Sequence, residues 1–225
     1  MMSYPNEAMS LVALQYSQEQ IKIQREQVRS RLLRDAPYAR QPNFTTIAAP
    51  DLLLLFRLYD QVFFAGRLAP LVIEKSGKPL QFRVSRAMTS AGGKTIWSKR
   101  NGKTTGFEIA ISSSLLLNSF REGDRPIHVS GQPCIDRVDA LMRVMEHEIV
   151  HLLEMLTFGN SSCSQTRFMT IANRLFGHTH PRHGLVTARE NAHRKHSIRV
   201  GQRVSFTFQG KEFTGIVNRI SLRAT

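Results

Sequence analysis

Residues 145–156, MEHEIVHLLEML, place His147, Glu148 and His151 in the spacing His-Glu-x-x-His. Residues four apart share one face of a helix, so the two imidazoles can grip one ion. The carboxylate between them reaches the open side of that ion. There it can take a proton from water and later give it to a leaving amine, the work of a general base. Neutral imidazole suits Zn²⁺, and a catalytic zinc keeps three protein donors and one open position. The bland alternative is a solvated stripe of His and Glu on an amphipathic helix. The strongly apolar setting argues against it, because two imidazoles and a carboxylate cost free energy there unless they find partners.

A third donor must come from elsewhere in the chain. After Glu154 there is no Asp or Glu before Glu190, so a downstream carboxylate is ruled out by counting. The extended metzincin spacing fails too, because Glu154 and Thr157 stand where its glycine and third histidine would be. Cys163, Ser164, His178, His180 and His183 remain. Thiolate is a strong zinc ligand and a serine hydroxyl a poor one, which puts Cys163 first, with His178 as the alternative third ligand. A site with no third protein ligand stays open. So do the ordinary roles of a loop cysteine and of a histidine favoured at a helix C-terminus.

The elements that must hold these residues follow from periodicity. Residues 135–156 read as one long helix with apolar residues at helical spacing, and 164–176 as another. Residues 50–65 form a buried helix with Pro50 at its start and Gly66 after its end. Residues 7–34 read as a single helix with a solvated second half. Alternation predicts strands at 80–85 and 107–112, with a short strand at 95–99 between them, separated by the turns AGGK and KRNGK. From about residue 197 the period changes to strands joined at Gly210. This order predicts an α+β fold, with helices packed on a small mixed or antiparallel sheet. A C-terminal β-hairpin or partial small barrel follows.

With 225 residues, 41% hydrophobic content and 13 Phe, the chain can build a packed core. Its net charge of +14 points to a polyanion, nucleic acid before an anionic membrane surface, against the plainer reading of a soluble basic protein. Two cysteines are too few for a disulfide framework. The N-terminus has no secretory pattern, and no apolar run approaches a membrane span. The expectation is a cytoplasmic protein in a reducing compartment. Residues 182–225 carry nine Lys/Arg, Arg194, Lys195 and Arg223 among them, against two Glu. Within that tail Arg199, Arg203, Lys211 and Arg219 are the candidate nucleic-acid contacts, interleaved with Phe206, Phe208 and Phe213. Those aromatics are expected to form the core of the hairpin rather than to stack on bases. SKRNGK, residues 98–103, adds a basic turn.

Several motifs in order resemble the SprT-like family, the Spartan-related zinc metallopeptidase domains. They are LFRLYDQVFFAGRL at 55–68, RAMTSAGG at 86–93, FEIAISSSLL at 107–116, the zinc helix, and RFMTIANRLFGHT at 167–179. The likeness spans about residues 50–183. It implies a compact zincin-like domain at 46–184, an N-terminal helical extension at 1–45, and a basic linker with a β module at 185–225. It also implies a protease that trims proteins crosslinked to DNA, with DNA bound independently of sequence. His147 and His151 match the family's ligands and Glu148 its base. The family's third histidine precedes an aromatic. Here the stretch is CSQTRF, where Phe168 matches the aromatic, Ser164 takes the histidine position and Cys163 precedes it. In such a domain the strand nearest the active helix is expected as an open edge for substrate, a role given to 107–112. The alternative function is a non-catalytic nucleic-acid-binding protein that keeps the fold with an incomplete metal site.

Overall fold

The computed structural model describes residues 4–220, without the side chains of 4–6 and 194–196. The side chains of Arg194 and Lys195, and all of Arg223, lie outside the described residues. Four helices come first: α1 (Tyr4–Val12), α2 (Gln18–Asp35), α3 (Ala49–Phe64) and α4 (Leu68–Ser76). Three strands follow, β1 (Gln81–Ser85), β2 (Gly93–Arg100) and β3 (Lys103–Ser112). Then come α5 (Ser113–Asn118), β4 (Ile127–Val129), β5 (Gln132–Cys134), α6 (Arg137–Phe158), α7 (Thr166–Phe176) and α8 (Ala188–His196). The hairpin β6 (Arg203–Phe208) and β7 (Lys211–Ile216) ends the series. The fold is α+β, as its element order predicts.

α6 is the axis of the molecule. Asp136 caps it, its carboxylate accepting from the Asp139 N–H at 2.8 Å, and Arg29 of α2 grips the same carboxylate. Fourteen of its residues are buried, among them Leu141, Met145, Ile149 and Leu153. Its apolar sides meet α1, α2, α3 and α7, and the buried residues of these helices form one cluster with those of the sheet.

Residues 7–34 are two helices, not one. Ser17 and Gln20 form a reciprocal capping box, with the Ser17 hydroxyl accepting from the Gln20 N–H and Gln20 Oε1 from the Ser17 N–H. That box starts α2 afresh, and the Tyr16 N–H is drawn away to the Arg174 carbonyl at 3.1 Å. α4 was not legible as a separate helix. Its first N–H groups, Leu68 and Ala69, bond to the carboxylate of Asp60 at 2.8 and 3.1 Å, supplying the cap from a distant helix.

The sheet has the order β1-β3-β2, with β1 parallel and β2 antiparallel to β3. Residues 107–112 are therefore not an edge. Glu108 pairs with Gln81 on one side and Ile96 on the other, and Ser112 pairs with Ser85. The run Ile109, Ala110, Ile111, Ser112 is buried on both faces, as suits a central strand. β2 is the edge beside α6.

The C-terminal hairpin is a two-stranded sheet in which Phe206 pairs with Phe213. Phe206, Phe208 and Phe213 do not form a core. They are 56%, 59% and 43% exposed, because two strands cannot enclose three rings. Among the described residues no third strand joins them into a barrel. No described helix is long and apolar enough to cross a membrane.

Candidate metal centre

His147 and His151 project from α6 onto one side, as their spacing requires, with the Nε2 atoms 3.2 Å apart. Two imidazole nitrogens bound to one tetrahedral zinc lie about 3.3 Å apart, so the pair is already close to ligand geometry. The loop after α6 brings up Cys163. One donor atom from each of His147, His151 and Cys163 falls within 4.8 Å of the others. Ser164 is exposed and pairs its hydroxyl with Ser162 at 2.9 Å.

His178 is not brought to this group. It is buried with Nε2 at 2.8 Å from the Glu146 carboxylate, which also takes a two-pronged contact from Arg25 and the Tyr59 hydroxyl. Burial alone would raise the Glu146 carboxyl, yet the charges of Arg25 and Arg143 and the bonds from His178 and Arg25 hold it well below its ordinary value. His178 is thus one of several partners, with Arg25, Arg143 and Tyr59, of that buried anion. His180 bonds through Nδ1 to Thr179.

The two imidazoles are ready as neutral donors. Burial lowers His147 to about 3, helped by His151, His178 and His183, and lowers His151 to about 4. The tautomer of His151 follows from its partners. The Ser161 hydroxyl donates to Glu154 Oε2 at 2.6 Å, so it must accept from His151 Nδ1–H, also at 2.6 Å. That leaves the Nε2 lone pair facing His147. Glu154 is buried and anchored by Arg167 at 2.6 Å. A ring nitrogen held through its second N–H by a carboxylate or hydroxyl is the usual support of a zinc histidine. Phe168 packs against both rings, with centroids 4.8 Å from His147 and 4.5 Å from His151.

Glu148 lies between β2 and α6. Its Oε2 is 2.8 Å from the Thr95 hydroxyl, which also lies 2.9 Å from the Glu148 main-chain oxygen. Burial pushes its carboxyl up to about 7, against the hydrogen bonds from Thr95 that lower it. β2 can come this close only because residue 93 is glycine: a Cβ there would sit 2.6 Å from Glu148 Oε1 and 2.7 Å from its Cγ. The carboxylate and the three donors line one cleft of about 740 Å³. His183 stands on its wall, with Nε2–H donated to the Ser90 carbonyl at 3.2 Å.

Sequence reasoning missed Thr95, Ser161 and Arg167. For Glu154 a signal existed, since a carboxylate one turn past His151 on a buried face needs a purpose. For Thr95 there was none, because its contact with Glu148 spans 53 positions. Arg199, Arg203, Lys211 and Arg219 are all exposed and none lines the cleft. Lys211 shares a hairpin face with Phe206, Phe208 and Phe213, since Phe208 pairs with Lys211 and Phe206 with Phe213. Comparison with models of known families, with curated proteins and with solved structures found no match.

Proposed function

We propose that the chain is a zinc-dependent endopeptidase of SprT-like type that acts on proteins bound or crosslinked to DNA. One observation carries the reading. His147, His151 and Cys163 converge in the same cleft as a buried carboxylate whose pKa, about 7, suits proton transfer at neutral pH. The donor set fits zinc: two neutral imidazoles, one of fixed tautomer, and a thiol. His147, His151 and Cys163 would hold the ion, which when bound supplies a Lewis acid for a peptide carbonyl and acidifies water.

The chain's own residues do the rest. Glu148 accepts a proton on its carboxylate and returns it to the leaving amine, and Thr95 holds Oε2 so that the carboxylate keeps one orientation. Neutral His183, on the cleft wall, holds its ring by the bond to Ser90. An extended substrate would pair with the edge of β2, which takes the role first expected of 107–112. The exposed aromatics and cations of the C-terminal hairpin support association with nucleic acid.

Glu148→Gln keeps the shape but cannot accept the proton. It should retain stoichiometric zinc while peptide hydrolysis falls by at least about a hundredfold. Hydrolysis at the wild-type rate by that variant would end the role of Glu148 as the base, and absence of hydrolysis by wild type itself would leave the non-catalytic binding protein.

A further inference from the structure

Deepening the nucleic-acid part of that reading, we propose that the tip of the β2–β3 hairpin is a second phosphate-binding surface. It belongs to the body of the molecule and is independent of the C-terminal tail. The argument starts from a local conflict. Arg100 and Lys103 are directly opposed partners in the register of β2 and β3. Like charges opposed across two strands destabilise the pair. Nothing nearby relieves them: Lys99, Arg100 and Lys103 are exposed, and none takes part in an ion pair among the described residues.

The conflict is held in place by a rigid turn. Asn101 and Gly102 have φ of 50° and 74°, the two positive values a two-residue hairpin turn needs. The turn therefore keeps Arg100 and Lys103 paired on one face of the tip. Further along β2, Trp97 stacks on Phe107 at 5.8 Å and bonds through Nε1–H to Thr104. Lys99 Nζ lies 3.4 Å over its ring. The indole thus steadies Lys99, which by strand alternation stands on the face opposite Arg100 and Lys103, so the tip carries cations on both faces.

A phosphate backbone suits this surface better than a lipid surface does. Residues 98–103 are Ser, Lys, Arg, Asn, Gly and Lys, with no apolar side chain to insert, whereas interfacial anchors bury an apolar face. Phosphate contacts position a protein without reading bases, which agrees with a tip that offers charge and little else. The placement matters for the cleft. Thr95, which holds Glu148, and Arg100 lie five residues apart on one strand, about 17 Å. One strand, whose pairing with β3 shifts register at Ser98/Lys99, would carry the nucleic acid at its tip and the substrate at its base.

The test is anisotropy titration of a labelled random-sequence DNA duplex with the full chain, as a function of salt. Arg100→Ser/Lys103→Ser should lose at least about tenfold in affinity near 0.1 M salt and flatten the log–log salt slope by up to about two units. Arg100→Lys/Lys103→Arg, which exchanges the cations, should bind like wild type, separating lost charge from a damaged turn. If wild type binds the duplex and the serine variant matches it in affinity and slope, the proposal is overturned while the tail and peptidase readings stand. Binding of wild type to phosphatidylserine/phosphatidylcholine vesicles but not to the duplex would overturn it in favour of a membrane surface. The readout is binding, so a failure of the peptidase reading would appear separately, as absent hydrolysis of a DNA-free peptide in every form.

Discussion

Three side chains define the candidate centre, and the nature of the third separates two arrangements. Cys163 stands within 4.8 Å of the imidazole donors, while His178 is committed to Glu146. Cys163→Ala should therefore cost at least about tenfold in zinc affinity, measured by competition with a chromogenic chelator. His178→Ala should leave that affinity unchanged and lower the unfolding midpoint, because it removes a partner from a buried carboxylate. Weakened zinc binding in His178→Ala with none in Cys163→Ala would reverse the assignment. The His-Glu-x-x-His group was legible because its chemistry lies within five residues of one helix. The choice of third donor was not, since Cys163 and His178 differ in placement and not in type.

β2 joins the sheet to the centre. It is the edge strand beside α6, it carries Thr95, and it runs so near α6 that residue 93 has no room for a side chain. Gly93→Ala would push Cβ against Oε1 and Cγ of Glu148. A shift of about 1 Å at a catalytic group can cost about a hundredfold in rate, so peptide hydrolysis should fall by that order while zinc content stays at one equivalent. Unchanged hydrolysis would show that the carboxylate swings aside at no cost. The strand itself was legible as a short run, 95–99, between two turns, and it extends over Gly93–Arg100. Its position at the edge was not, because periodicity describes one strand's faces and says nothing about its neighbours.

At the level of the fold, α2 and α6 are tied by charge. The Arg25 guanidinium meets Glu146 at 2.6 Å, with the Glu146 side chain fully buried. Removing one partner of such a pair strands the other, at a cost of about 3–5 kcal/mol. Arg25→Ala should show that loss in urea unfolding at pH 7. Glu146 is a carboxyl held below its ordinary value, so the stabilisation is complete above the ordinary carboxylate range and is lost as pH falls. The gap between wild type and variant should therefore narrow in acid. A constant gap would mean that Arg25 acts through packing alone. α1 and α2 contribute Leu11, Val12, Val28 and Leu32 to the common core. Leu185 and Val186, beyond the expected end of the zinc-helix domain, are buried in it too.

Composition and periodicity alone determined the α+β class, the long helix bearing His147, Glu148 and His151, and the basic balance of the chain. Each of these depends on neighbours in sequence or on simple counting. Three matters needed the folded chain. The break between α1 and α2 is made by a capping box inside a stretch whose helical pattern runs on across it. The solvent exposure of Phe206, Phe208 and Phe213 depends on what does not pack against them, which no local pattern encodes. The surroundings of the centre, with Thr95 on Glu148, Ser161 between His151 and Glu154, and Phe168 against both imidazoles, are contacts between separate elements. A side chain's type states what it can bond. Only the packing of helix on strand and loop on helix chooses which of those bonds it makes.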